Sequence, residues 1–177
     1  MTIQEQIQKL KKEHSLPHPL LHGDIMSGLR LKCSFGQPGI PPKEFVNLGL
    51  QIPPELVEFW QNASNAMLFE DVDYGQWGLQ IFPYSEVEVN TKLAQKRRSK
   101  QFRPGDLVVG QFLGDLDQLI VRCDASASDF GSVVIALQIY PREEWPTVAI
   151  NFREFLNKYA DANGDMYWEK SIRKDVL

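Results

Sequence analysis

The chain has 177 residues, a 43% hydrophobic and 11% aromatic composition and a net charge of -4. That is long and apolar enough for one domain with a real core, and too rich in aromatics for a disordered chain. The mildly acidic balance argues against nucleic-acid binding by bulk charge. Two cysteines, Cys33 and Cys123, make no disulfide framework and fit a reduced, cytoplasmic protein. The start Met1-Thr2-Ile3-Gln4-Glu5 shows no basic region followed by an apolar stretch, so no secretory signal is expected, and no apolar run approaches membrane-spanning length.

In chain order, Thr2 and Glu5 form a capping-box pattern, and Ile3, Ile7 and Leu10 recur at helical spacing, predicting a helix to about Glu13 that Pro17 and Pro19 stop. Residues 15 to 50 are rich in Gly and Pro and read as an irregular arm, or as a leading subunit of the same domain, with one short strand, Leu29 to Cys33. The division is an N-terminal helix and arm over residues 1–34 and a main unit over 35–177, forming one globular body. Pro54 suits the first position of a helix whose buried stripe is Ile52, Leu56, Phe59, Trp60 and Ala63. Leu79 to Phe82 reads as the first strand of the main sheet. Ser85 and Glu88 predict a capped helix to about Arg98 with Val89 and Leu93 inward. Strands follow over Asp106 to Phe112, Asp117 to Cys123 and Gly131 to Gln138, joined as antiparallel hairpins through Gly114-Asp115 and the Ser/Asp-rich stretch from Asp124 to Phe130. Asn151 and Glu154 open a last helix with Phe152, Phe155, Leu156 and Tyr159 buried, and Gly164 ends it in a left-handed turn. The fold class is therefore α+β: a mostly antiparallel sheet of about four to six strands with helices packed on one face.

No catalytic set accompanies this pattern, and no cofactor or metal is called for. His14, His18 and His22 have helical spacing, but the prolines between them break the helix, leaving histidines scattered on a solvated loop. Cys33 lies in a strand-like run and reads as a small hydrophobe. The stretch from Asp161 to Asp165 lacks the Gly and Glu placement of a calcium loop. The basic run Lys92, Lys96, Arg97, Arg98, Lys100 and Arg103, with Phe102, would suit phosphates and a stacked base, but cations at a helix C-terminus are accounted for by its dipole. Trp60, Trp77, Trp145 and Trp168 read as packing residues.

The carboxylates carry the strongest functional signal. Glu70, Asp71 and Asp73 precede Tyr74 and Trp77 on one loop, and Asp115 and Asp117 sit in the hairpin turn. If the two loops meet at one end of the sheet, they form an acidic patch with aromatic anchors, suited to a basic protein. The same carboxylates could serve acid–base work or Mg²⁺, or simply cap turns: Asp115 reads first as a turn residue, and the Glu70-Asp71-Asp73 set stands evenly between turn and function.

The ordered series Ile52-Pro53-Pro54-Glu55-Leu56, Leu68-Phe69-Glu70-Asp71, Trp77-Gly78-Leu79, Phe112-Leu113-Gly114-Asp115, Pro141-Arg142-Glu143-Glu144-Trp145 and Asn151-Phe152-Arg153-Glu154-Phe155-Leu156 resembles the SUKH superfamily, the family of the yeast Smi/Knr cell-wall regulators and many bacterial relatives. The resemblance spans roughly residues 35 to 160, with Asn65-Ala66 where the family often has an Asn-Gly turn. It implies an α+β fold without catalysis and a protein partner: in bacterial members commonly a toxin that the protein neutralises as an immunity protein, in the yeast members a regulatory or scaffold role. A Mg²⁺ hydrolase built on Asp71, Asp73, Asp115 and Asp117, and a nucleic-acid binder built on residues 92 to 103, are the other readings.

Overall fold

The computed structural model describes residues 1–22 and 24–169. Helix α1 (Ile3–Glu13) begins with the capping box as the sequence predicts: the Thr2 hydroxyl accepts from the Glu5 N–H, and the Glu5 carboxylate accepts from the Thr2 N–H. Its stripe of Ile3, Ile7 and Leu10 is buried. The expected arm is instead ordered as β1 (His18–His22) and the long β2 (Ile25–Phe35), then the small ribbon of β3 (Glu44–Phe45) and β4 (Leu50–Gln51). Helix α2 (Pro54–Asn62) follows, with Pro54 in its first turn and Leu56, Phe59 and Trp60 buried. Then come β5 (Ala66–Asp71), β6 (Leu79–Ile81), α3 (Tyr84–Arg97), β7 (Asp106–Phe112), β8 (Gln118–Arg122), β9 (Val133–Ala136), β10 (Thr147–Ala149) and α4 (Phe152–Asp161). The Asn151 side chain caps α4 by accepting from the Glu154 N–H.

Among the described residues the main sheet has eight strands, in the order β1-β2-β5-β6-β7-β8-β9-β10, and every pairing is antiparallel. The α+β class holds, but four to six strands is too few: β1, the length of β2, β5 and β10 were missed. Residues 1–34 thus supply two strands to the same sheet and Ile3, Ile7, Leu10 and Leu20 to the same core.

Register partners share a face of the sheet. The row Ala66, Ile81, Gly110, Leu119 and Ile135 and the row Leu68, Leu79 and Phe112 are buried. There α1, α2 and α4 pack together, with Phe112 meeting Tyr159 edge-on at 6.2 Å and Phe59 meeting Phe152 at 5.3 Å. The opposite face is divided. Over β2, β5 and β6 it is only partly covered, with Ser34 exposed and Met67 and Gln80 half-buried in register, and the row runs on through half-buried Gln111 and Gln118 at the ends of β7 and β8 next to their shared turn. Over β7 to β9 it is covered, because Val108, Ile120 and Val134 are all buried.

Helix α3 departs from the one-face expectation. Strand β6 is three residues long beside a seven-residue β7. After the Phe82 N–H has reached the Val109 carbonyl, the Val108 N–H takes the hydroxyl of buried Thr91 on α3 at 3.0 Å. A buried N–H without a partner is costly, so α3 completes β7 where the sheet runs out. This also sets its rotation: Val87, Thr91 and Ala94 face inward, while Val89 and Leu93 are exposed. The Ser85–Glu88 cap is not formed; Pro83 occupies the N-cap without a side-chain bond.

Thr91→Val keeps the shape and removes the acceptor. We expect a loss of about 1–3 kcal/mol from the unsatisfied Val108 N–H, seen as a lower urea midpoint at unchanged slope; an unchanged midpoint would show that β7 does not depend on α3.

Candidate functional site

The acidic loop is built around Asp71, which is only 2% exposed at the end of β5. One carboxylate oxygen accepts from the Asp73 N–H at 3.0 Å and the other from the Gln76 N–H at 3.2 Å. The Asp71 N–H donates to the Trp77 carbonyl at 2.9 Å, and its carbonyl accepts from Gly75. Asp71 therefore folds the turn, with almost no surface of its own exposed. Trp77 is half-buried; its indole N–H donates to the Gly164 carbonyl at 2.8 Å and its ring meets His22 edge-on at 5.9 Å. Trp77 thus ties the loop to the segment after α4. Asp73 is exposed in a two-bond pair with Arg30, at 2.7 and 3.0 Å, and the arginine holds its carboxyl below the usual range. Glu70 pairs in register with Lys32 on the partly covered face. Tyr74 alone of this loop presents a large free side chain, 74% exposed.

The two acidic loops do meet. The Leu113 N–H donates to the Gly78 carbonyl at 2.9 Å. Gly114, at φ 89, passes so close that a Cβ there would lie 2.5 Å from the Gln76 carbonyl oxygen. Only glycine fits both constraints. In the turn that follows, Asp115 is exposed and makes no hydrogen bond among the described residues, whereas Asp117 accepts from the Gln138 N–H at 2.8 Å. The Gln138 side chain returns to the Leu116 carbonyl at 2.8 Å. These bonds join the β7–β8 turn to the end of β9 and shape a groove of about 710 Å³ lined by Asp115, Asp117, Glu144, Glu169, Leu137 and Tyr140. Burial pushes the Asp117 carboxyl above its ordinary value, and Asp115 and Glu169 add to the rise; the Gln138 N–H and Arg98 oppose it. Residues Glu144 and Glu169, distant in sequence, were not foreseen here.

The groove wall has its own support. The Arg98 guanidinium donates to the carbonyls of Leu137 at 2.8 Å and Tyr140 at 3.1 Å. It also lies 4.7 Å from the Trp145 ring centre, with Arg142 at 4.9 Å from the same ring. Arg142 continues to the fully buried Asp106 carboxylate, which also accepts from Arg122 at 2.8 Å and from the Arg103 N–H at 2.7 Å. Arg122 reaches Asp129 at 2.9 Å as well. Hence Arg98 of the basic run is structural; Phe102 packs edge-on against Trp145 at 5.6 Å, and Lys92 pairs with Glu88 at 2.6 Å. Lys96, Arg97, Lys100 and Arg103 are exposed and in no ion pair among the described residues, while Lys92 is exposed but paired.

The histidines are not scattered on a loop. His14 caps α1, His18 and His22 lie on β1, and His22 bonds the buried Asp165 at 2.7 Å. Among the described residues no group of three or more His, Cys, Asp or Glu side chains could hold a metal ion. Cys33 and Cys123 are both buried free thiols, and burial pushes Cys33 up to about 12. No helix among the described residues is long and apolar enough to cross a membrane. No family model matches the chain, and no curated protein matches it.

Asp106→Ala takes from two largely buried arginines the carboxylate they share, leaving Arg142 without an ion-pair partner and Arg122 with only the half-exposed Asp129. A loss of about 3–5 kcal/mol is expected by chemical denaturation, and a loss under about 1 kcal/mol would show the network to be peripheral. Asp117→Asn keeps the acceptor for Gln138 without the charge. The native carboxyl is raised relative to the unfolded chain, so the wild type is penalised only where Asp117 is ionised. The variant should match the wild type in acid, below the ordinary aspartate value, and gain on it as pH rises through the raised one. Parallel stability curves at all pH values would contradict this.

Proposed function

We propose that this chain is a non-enzymatic protein-binding module of the SUKH type that acts as an immunity protein, covering the basic cleft of a nuclease-like toxin in the cytoplasm. The observation that carries the reading is the groove itself. Four carboxylates, Asp115, Asp117, Glu144 and Glu169, line it beside Leu137, Tyr140 and the exposed Ile139. Apolar and aromatic contact area flanked by one sign of charge is what a basic protein surface would meet. The ordered motifs from Ile52 to Leu156 support the family part of the reading, since the residues they name form α2, the β5–β6 loop, the β7–β8 turn and the start of α4.

The binding face differs from the first reading of the sequence. Asp115 and Asp117 stay in it. The loop carrying Asp73 and Tyr74 adjoins the β7–β8 turn through Gln76 and Gly78, and Asp71 and Trp77 hold that loop in shape. A stable interface buries roughly 1,200–2,000 Å² in total, more than the groove offers, so the 72–76 loop belongs to the same footprint. The exposed basic residues in the last turn of α3 and just after it supply a weaker second reading, nucleic-acid binding. A Mg²⁺ hydrolase has lost two of its four carboxylates, to the Asp71 turn and the Asp73–Arg30 pair.

The test is affinity capture from host lysate, followed by kinetics on any stoichiometric partner with a basic domain. Asp115→Lys with Asp117→Lys should slow association by about tenfold or more at low salt, and by less at high salt. Unchanged association would remove the groove as the binding face. Several weak, unrelated partners would favour the regulatory or scaffold role.

A further inference from the structure

We propose that the junction of α1 with β1 and β2 is an acid-sensitive latch, in which charging the His14 imidazole loosens the hold of the N-terminal helix on the edge of the sheet. His14 stands where three elements meet. Its N–H ends α1 by donating to the Leu10 carbonyl at 2.9 Å, and its own carbonyl accepts from the Cys33 N–H of β2 at 2.7 Å. Its ring lies edge-on to His18 of β1, with centres 5.4 Å apart, and edge-on to Phe69 of β5 at 5.0 Å.

The surroundings favour a neutral ring. Phe69 offers only apolar edge, and behind it stands the wholly buried Tyr159 of α4, 5.4 Å away between ring centres. From β1 the ring meets another imidazole, His18, and the buried thiol of Cys33, whose N–H bonds the His14 carbonyl, stays neutral because burial holds it at about 12. On α1 itself Lys9 opposes a charge on His14 and Glu13 favours one. Burial comes first among the causes that lower the His14 pKa, and His18 second. Phe69 is poorly placed to yield: it holds a left-handed backbone, φ 52, while its N–H donates to the Cys33 sulfur at 3.3 Å. A bulky residue at positive φ is a strained position, so the wall beside His14 is fixed by its neighbours.

The sign follows from linkage. A histidine whose pKa falls on folding leaves the closed state fully stable above its ordinary value of 6.5. As pH drops through that value the opened junction takes up the proton more readily, and opening increases until the lowered pKa is passed. Each unit of lowering corresponds to about tenfold more opening at the acid limit.

The experiment is hydrogen exchange by NMR on the full chain, read at the Cys33 and His14 amides and corrected for intrinsic rates. Between about pH 7.5 and about pH 5.5, protection at Cys33 should fall about fivefold or more, while amides of β7 and β8 hold. His14→Phe keeps an aromatic edge and removes the titration, so its protection should not respond to acid. His18→Gln removes the like charge, and the acid response should shrink. The proposal is overturned by unchanged protection in the wild type, or by an equal fall in His14→Phe. Should that variant not fold, a His14 ring resonance titrating at or above 6.5 in the wild type overturns it equally.

Discussion

The buried carboxylate of Asp106 is the constraint on which much of this molecule turns. An ionised group with no exposed surface is tolerated only when fully bonded. Asp106 meets that condition by collecting Arg122 from the neighbouring strand, Arg142 from the segment before β10 and the Arg103 N–H from the loop before β7. These groups are 16 to 36 residues away in sequence for the two arginines, so one side chain fastens three stretches of chain. Arg142 then stacks on Trp145, Arg98 stacks on the same ring, and Arg98 holds the Leu137 and Tyr140 carbonyls. The wall of the acidic groove is thus the far end of a polar chain that begins under the sheet.

The same economy of hydrogen bonds explains the placement of α3. An eight-stranded sheet with a three-residue strand in its middle leaves backbone groups of the longer neighbour unpaired. Water cannot serve them, because both faces of β7 are covered at that point. A helix with a threonine at the right position can, and the rest of α3 follows from bringing Thr91 there. The helix in turn delivers Arg98 to Trp145. Sheet completion and groove support are therefore two consequences of one helix position.

Much of this was legible in the residues, and the failures have identifiable causes. The helices α1, α2 and α4 have wide apolar stripes and recognisable starts, and they fold as read. In α3 the Ser85–Glu88 pattern and the pair Val89 and Leu93 pointed the wrong way, because a buried threonine bonded to the sheet decides the rotation and carries no apolar signal. Strand β1, His18-Pro19-Leu20-Leu21-His22, is an edge strand with a proline and a bulge, devices that suit edges but erase alternation. In β5 the extra residue opposite Cys33 shifts the register between Lys32 and Ser34, so Met67-Leu68-Phe69 does not alternate either. The Asp106–Arg122 pair was not within reach: a hairpin turning at Gly114-Asp115 sets Asp106 opposite Cys123, and only the irregularity between Val108 and Gly110 shifts the register by one to bring Arg122 there. Nor were Glu144 and Glu169, since nothing local relates them to that turn.

The acidic loops show why counting carboxylates overstates a binding site. What separates the carboxylates is the number of local donors. Asp71, at a strand end where the chain reverses, has two turn N–H groups within reach and uses both. Asp73 meets an arginine projecting from the adjacent β2, and Asp117 meets one N–H from the end of β9. Asp115, at the tip, has none. A turn aspartate is more available to a partner the less it is needed by its own backbone. That ordering places the free charge at Asp115, the partly committed charge at Asp117 and none at Asp71. It moves the expected contact surface from the β5–β6 loop to the groove beyond the β7–β8 turn. The exposed Tyr74 of that loop takes its position from the turn that Asp71 holds.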